Sequence, residues 1–113
     1  MKKDTGVYLQ DIIDSCKKIE EYINAKSEKE FEVDSELQDA VLRRLTIIGE
    51  AIKRLPQEIR DKNSGIEWKK AMGMRDILVH HYDEVELEQV WNTITKILPP
   101  FKKQIQNLFS NLK

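Results

Sequence analysis

One stretch of eight residues carries the side chains best suited to chemistry. It reads Arg75-Asp76-Ile77-Leu78-Val79-His80-His81-Tyr82. Arg75 keeps its positive charge at physiological pH and can donate two hydrogen bonds to one phosphate group. His80 can take up and release protons near neutral pH, because imidazole titrates in that range. A guanidinium that offsets developing charge and an imidazole that moves protons are the minimum set of groups for cleaving a phosphodiester without a metal ion.

The spacing of this pair sets a structural condition. Arg75 and His80 are five positions apart, which is about 140° around an ideal helix. They converge only if the helix ends near Val79 and the chain then turns. Such a pair also arises by chance, and a histidine near a helix C-terminus is stabilised by the partial negative charge there. From spacing alone, a catalytic and a structural role both remain open.

The pattern Arg75-x4-His80-x-Tyr82 resembles the R-x4-6-H-x-Y signature of HepT-like toxins, which belong to the HEPN superfamily of helical ribonucleases. The likeness extends to other short segments in the same order along the chain. These segments are Ile48 to Ala51, Leu55-Pro56, Trp68 to Met74, Val85, Val90-Trp91 and Leu98-Pro99. Together they cover roughly residues 35–100, which is far more specific than one short motif.

The resemblance implies a function and a set of site residues. It implies a metal-independent endoribonuclease, the toxin of a type VII toxin-antitoxin system, with Arg75 and His80 as the catalytic pair. HEPN ribonucleases are homodimers in which two motifs face one cleft. The partner antitoxin is a minimal nucleotidyltransferase, which transfers AMP to the tyrosine at the position of Tyr82. Lys70 and His81 are weaker candidates for contacts with the RNA substrate.

Two features leave alternatives open. Asp76 stands where many HEPN sequences have asparagine. Its carboxylate could orient Arg75 or raise the pKa of the imidazole, but it would also oppose the binding of RNA. The chain could also be a catalytically inactive helical protein that binds nucleotides or RNA, or a dimerisation partner of a nucleotidyltransferase. Replacement of His80 by alanine distinguishes an enzyme from these two alternatives, because only an enzyme loses RNA cleavage.

The composition predicts one helical domain that spans residues 1–113. Charged residues make up 35% and hydrophobic residues 40% of the chain, with four glycines and three prolines, as is typical of a helical protein with charged outer faces. No apolar run approaches the ~18 residues of a membrane span, and the N-terminus leads into no apolar signal segment. We therefore expect a cytoplasmic protein with no membrane partner.

No cofactor or metal is predicted. The chain has no glycine-rich phosphate loop and no His, Cys, Asp or Glu cluster with the spacing of metal ligands. His80 and His81 are adjacent, so regular backbone would point them in different directions. Cys16 is the single cysteine and lies on an apolar helix stripe, which favours a buried structural thiol.

Charge is unevenly distributed along the chain, although the net charge is only −1. Residues 14–39 carry nine acidic and four basic side chains, a net charge of −5. Residues 43–81 carry nine basic and five acidic side chains, a net charge of +4, and include the motif. Many of these bases will simply solvate helix surfaces, but two copies of this basic segment would attract RNA.

Apolar spacing predicts an all-α, up-down bundle of four to five helices, HEPN-like in outline. A first helix is expected over about Thr5–Lys26, followed by a connecting loop over Lys26–Glu32. A capping box at Ser35-x-x-Gln38 predicts the start of a second helix that Pro56 ends.

The second half of the chain predicts three more segments. Pro56 to Lys62 is expected to form a short helical turn, and a capping box at Ser64-x-x-Glu67 to start a helix that continues to Leu78. Another helix should begin between Asp83 and Glu86 and be kinked or interrupted at Pro99-Pro100. Trp68 and Trp91 fall on apolar faces, which favours core or dimer contacts over base stacking.

Overall fold

A computed structural model describes residues 2–73 and 86–112, and these residues form an all-α bundle, as predicted. The helices are α1 (Lys2–Ile23), α2 (Glu28–Glu32), α3 (Ser35–Arg54), α4 (Gln57–Lys62), α5 (68–73), α6 (Leu87–Asn92) and α7 (Leu98–Ser110), with a π-helical segment at Thr93–Ile97 between the last two. These two described ranges contain no strand. None of their helices is long and apolar enough to cross a bilayer.

The core lies where α1 packs along α3 and α7. The predicted apolar stripes supply it, since residues at three- and four-residue spacing share one face of a helix. The fully buried side chains include Leu9, Ile12 and Ile19 of α1, Val41, Leu45, Ile48 and Ile52 of α3, and Phe101 and Ile105 of α7. Each such side chain contributes about 1.5–3 kcal/mol when it leaves water, so this contact holds the bundle together.

The first helix lies three residues earlier than predicted at both ends, from Lys2 to Ile23 rather than from Thr5 to Lys26. Its end is set by Ala25, which has a positive φ of 61°. The backbone N–H of Lys26 then donates to the carbonyl of Ile23 over 2.9 Å. A left-handed residue other than glycine costs about 1–2 kcal/mol, and neither composition nor periodicity marks alanine for such a position.

The loop predicted over Lys26–Glu32 is wrong, because Glu28–Glu32 is helical. Ser27 caps this helix: its hydroxyl accepts from the N–H of Glu30 over 3.2 Å, and the Glu30 carboxylate accepts from the N–H of Ser27 over 2.8 Å. This reciprocal arrangement is a capping box. The helix carries one fully buried side chain, Phe31. A five-residue helix with one apolar anchor is too short to show periodicity.

The two predicted capping boxes are also wrong, although both helices exist. Asp34, rather than Ser35, caps α3: its carboxylate accepts from the N–H of Leu37 over 3.0 Å. The side-chain amide of Gln38 instead donates to the carbonyls of Phe31 and Glu32, which ties α2 to α3. A carboxylate is a strong N-cap acceptor, and glutamine is long enough to reach the preceding helix.

The helix predicted from Ser64 begins at residue 68 instead. Ser64 lies in a turn, and the carbonyl of Glu67 accepts the first helical hydrogen bond, from the N–H of Ala71 over 3.2 Å. The predicted continuation of this helix to Leu78 lies outside the described residues. The predicted stop at Pro56 and the short helix after it are confirmed by the ends of α3 and α4.

The interruption predicted at Pro99-Pro100 is confirmed in an unexpected form. The N–H of Leu98 donates to the carbonyl of Thr93, five residues earlier, within a π-helical turn. The two prolines then occupy the first turn of α7, where their missing N–H groups break no intrahelical bond. The chain therefore passes from α6 into α7 through a widened turn rather than through a loop.

The single cysteine is a buried structural thiol, as predicted. Cys16 is 2% exposed, and burial raises the pKa of its thiol to about 12, with the Glu20 carboxylate adding to the rise and Lys102 opposing it. Lys102 of α7 donates to the Glu20 carboxylate of α1 over 2.7 Å. A thiol that stays protonated is a poor nucleophile, so Cys16 does not contribute chemistry.

Candidate active site and its supports

The motif residues lie in the segment between α5 and α6. Arg75, Asp76, His80, His81 and Tyr82 are all outside the described residues, so their predicted convergence remains a prediction. The described chain ends two positions before Arg75, at Gly73, and resumes four positions after Tyr82, at Glu86. What the structure shows is how the bundle holds the two ends of this segment.

The entrance to the segment is anchored through Trp68 at the start of α5. The indole N–H of Trp68 donates to the carbonyl of Asn63 over 3.0 Å. Its ring meets that of Phe101 of α7 edge to face, with ring centres 5.9 Å apart, and such pairs contribute about 0.5–1.5 kcal/mol beyond burial. Trp68 is therefore a core residue, which is one of the two roles predicted for it. Its contacts fix the position at which α5 begins.

The exit from the segment is anchored through α6. Val90 is fully buried, and the ring of Trp91 packs on that of Phe31 with centres 5.5 Å apart and planes tilted by 38°. The short helix α2, which lies where a loop was predicted, thus supports α6, the first described helix after the motif. Both tryptophans attach the motif-bearing segment to the core, one at each end.

Lys70, a candidate RNA contact, is exposed on α5. Its side chain is 61% exposed, and its ammonium lies 4.0 Å from the Glu67 carboxylate. An ion pair at this distance and exposure contributes at most about 1 kcal/mol. Lys70 can therefore turn toward a phosphate at little cost, whereas His81, the other candidate, lies outside the described residues.

Two surface cavities of the described chain flank the motif in sequence. The first, about 530 Å³, lies along α6 and is lined by Glu28, Glu86, Glu88 and Lys96 among others. We call it the acidic cavity, since three carboxylates face one ammonium. The second, about 420 Å³, lies between α4 and α5, and its lining includes Gln57, Arg60, Asp61, Glu67, Trp68 and Lys69. Two cations balance two carboxylates in this α4–α5 cavity, so it is the better of the two for an anion.

The described residues contain no group of three or more His, Cys, Asp or Glu side chains placed to hold a metal ion. The two histidines of the chain lie outside that part. In the sequence, Arg60 and Lys69 stand out only as members of the basic segment 43–81. The alternation of short helix, turn and helix after Pro56 is the feature that brings these two residues to one cavity.

Comparison with known proteins places the chain among ribonucleases. The family model described as "Ribonuclease HepT-like" matches residues 12–108. The chain is 45% identical over 112 residues to a Methanocaldococcus jannaschii protein named "Gamma-glutamylcyclotransferase and putative RNase", a match that covers 99% of this chain and 50% of that protein. It therefore spans half the length of this two-function relative.

Two other relatives are matched over almost their whole length. A Caldanaerobacter subterraneus protein named "Putative RNase" is 40% identical over 106 residues, which cover 94% of this chain and 95% of that protein. A Thermococcus cleftensis protein named "Probable ribonuclease HepT" is 34% identical over 108 residues, which cover 96% and 98% respectively. No solved structure matches the chain.

Proposed function

This chain belongs to the HepT-like ribonuclease family, and on that premise we propose that it cleaves RNA endonucleolytically with Arg75 and His80. The observation that carries the proposal is the family match over residues 12–108, which includes the motif together with the helices that flank it. Trp68 and Trp91, which hold the two ends of the motif segment, support it. We further propose that residues 1–113 form one domain around the core described above.

The proposed chemistry needs a base, an acid and a cation. The ribose 2′-oxygen attacks the adjacent phosphorus and the bond to the 5′-oxygen breaks, which leaves a 2′,3′-cyclic phosphate and a 5′-hydroxyl. His80 removes the proton from the 2′-hydroxyl or donates one to the leaving 5′-oxygen. Arg75 pairs with the non-bridging oxygens, whose negative charge grows in the transition state.

A homodimer would supply the second proton-transferring histidine that the reaction needs. One imidazole cannot serve as base and acid in the same step, but two motifs that face one cleft supply both. The same arrangement brings two basic segments together, each with a net charge of +4 over residues 43–81. The positive electrostatic potential of two such segments would attract RNA more strongly than that of one chain does.

The proposed reaction makes a direct prediction about substrate and metal. We expect purified protein to cleave single-stranded RNA equally well with and without EDTA, because the mechanism uses no metal. The same sequence with 2′-O-methyl groups, or as DNA, should stay intact because it lacks the attacking hydroxyl. Gel analysis of end-labelled oligonucleotides measures this. Loss of RNA cleavage in EDTA, or cleavage of the methylated strand, would overturn the proposed mechanism.

We propose that the chain acts in the cytoplasm as a toxin, and that a minimal nucleotidyltransferase antitoxin silences it by transferring AMP to Tyr82. Each AMP adds a bulky group and about one negative charge near Arg75 and His80 in sequence. The new phosphate would compete for the guanidinium and repel RNA. Modification of one tyrosine is thus enough to silence the site.

Replacement of Tyr82 by phenylalanine tests the modification. The variant should cleave RNA at close to the normal rate, because the phenol has no part in the proposed reaction. It should accept no AMP from the cognate nucleotidyltransferase and ATP, as measured by the mass of the intact protein. Tyr22→Phe, on the described part of α1, is the matched control and should be modified normally. Full incorporation into Tyr82→Phe would show that the acceptor is another residue.

A further inference from the structure

The α4–α5 cavity holds two cations that lack a carboxylate partner among the described residues. Nη2 of Arg60 donates to the side-chain oxygen of Gln57 over 3.1 Å, which is a bond to a neutral amide. The nearby Asp61 carboxylate accepts instead from the Gln57 amide nitrogen over 2.9 Å. Lys69 is exposed and forms no ion pair with any described residue. The cavity therefore has two positive charges that are not neutralised by direct contact.

The neighbouring lysines differ in this respect. Lys62, also on α4, pairs with Glu58 over 3.3 Å, and Lys70 on α5 lies 4.0 Å from Glu67. Each of the two helices thus has one lysine in an ion pair. The other cation of each helix, Arg60 on α4 and Lys69 on α5, is in none with a described residue. The surrounding segment, residues 53–70, carries six basic and three acidic side chains, a net charge of +3.

Arg60 also has an unsatisfied donor. Its Nε atom is buried and has no hydrogen-bond partner within the described structure. A buried donor without an acceptor costs about 1–3 kcal/mol, so this donor calls for an acceptor that the described residues do not supply. The Nη groups of an arginine can donate charge-assisted hydrogen bonds to the oxygens of a phosphate.

The place of this cavity in the sequence, shortly before the motif, suggests the ligand. Lys69 lies at the start of α5, whose last described residue is two positions before Arg75. An RNA chain bound at the motif must continue on one side or another. The acidic cavity beside α6 opposes phosphates with Glu28, Glu86 and Glu88. The lining of the α4–α5 cavity is neutral in sum, with two cations and two carboxylates, and neither cation is in an ion pair with a described residue.

We propose that Arg60 and Lys69 form a phosphate-binding subsite that holds the backbone of single-stranded RNA at a distance from the residues that cleave it. This inference rests on the proposed function and extends it by naming two residues outside the motif that bind the substrate. The substrate runs over α4 and α5 and avoids the acidic cavity. Ser64 and the Gln57 amide, which line the same cavity, offer further polar contacts to the ribose-phosphate chain.

Binding of a short, mixed-sequence RNA with 2′-O-methyl groups tests the subsite without any need for cleavage. Fluorescence anisotropy over a series of salt concentrations gives the affinity and its salt dependence. Arg60→Gln and Lys69→Gln should each weaken binding about tenfold at low salt, since each removes one charge-assisted contact. Each should also reduce the slope of log K against log salt by about 0.7, the value for one phosphate contact with a single strand.

Lys62→Gln is the matched control, because this lysine is on the same helix and is already paired with Glu58. It should leave both affinity and slope nearly unchanged. Lys69 is exposed, so Lys69→Gln should not disturb the fold. This variant therefore tests the subsite even if Arg60→Gln unfolds. Equal effects of Lys62→Gln and Lys69→Gln would show a diffuse charge effect and overturn the subsite.

A second arm distinguishes RNA from a free nucleotide, which offers the same phosphate chemistry. AMP and inorganic phosphate should compete with the oligonucleotide only weakly, because neither spans several contacts. If AMP bound as tightly as RNA and lost affinity in Arg60→Gln, while RNA binding stayed unchanged, the site would be a nucleotide site and the proposal would be wrong. These assays measure binding and the test of the proposed function measures cleavage. A negative result here would therefore rule out the subsite without bearing on the proposed function.

Discussion

Replacement of His80 by alanine is expected to lower the rate of RNA cleavage by about 10²–10⁴-fold, the usual contribution of a positioned acid-base group. The loss should fall on the catalytic step, because the imidazole acts on protons whose transfer occurs in the transition state. Binding of 2′-O-methyl RNA should change little. Initial rates at saturating RNA, with circular dichroism to confirm the helical fold, measure the effect.

His81→Ala is the control for this experiment, since it removes an imidazole from the adjacent position. It should reduce the rate much less than His80→Ala if His80 is the acid-base residue. Equal losses in the two variants would mean that both histidines carry protons. An unchanged rate in His80→Ala would place the chemistry elsewhere, and an equal rate in every variant would indicate a contaminating nuclease.

The second large effect is expected at Phe31, where replacement by alanine should destabilise the fold by about 3–5 kcal/mol. Phe31 is fully buried and is the one apolar anchor of α2, and its ring packs on that of Trp91. Its removal leaves a cavity between α2 and α6 that helices tied into the core cannot readily close. Since small domains have only about 5–15 kcal/mol of stability, the variant should unfold at much lower denaturant concentration.

Val33→Ala is the matched control, two positions later in sequence and 85% exposed. Its free energy of unfolding should stay within about 0.5 kcal/mol of the unsubstituted protein. Urea unfolding followed by circular dichroism measures both variants, with similar slopes expected because the exposed area changes little. A loss below about 1 kcal/mol for Phe31→Ala would mean that α2 is not part of the core.

Local rules were least reliable where helices begin. The pattern Ser35-x-x-Gln38 satisfies the capping-box rule, yet Asp34 occupies the cap and Gln38 bonds to α2. Ser27-x-x-Glu30 satisfies the same rule and does form the box. The two are distinguished by their surroundings. A second N-cap residue, Asp34, directly precedes Ser35 and takes the cap, and the carbonyls at the end of α2 are within reach of Gln38.

The sequence by itself determined the all-α class, the apolar stripes of α1, α3 and α7, the stop at Pro56 and the resemblance to HepT-like toxins. These features depend on residues a few positions apart, or on a motif written within one short segment, so they can be recognised without coordinates. The burial of Cys16 follows from the stripe of α1, whereas the sequence left Trp68 open between a core and a dimer contact, and the structure buries it.

Only the tertiary structure decided that α2 is a helix held by Phe31 against Trp91, and that Arg60 and Lys69 share one cavity without carboxylate partners. Each of these facts depends on groups far apart in sequence, or on which of several nearby acceptors a side chain selects. Burial and pairing of this kind are properties of the packed chain, because neighbours in space set the free energy of a side chain as strongly as neighbours in sequence do.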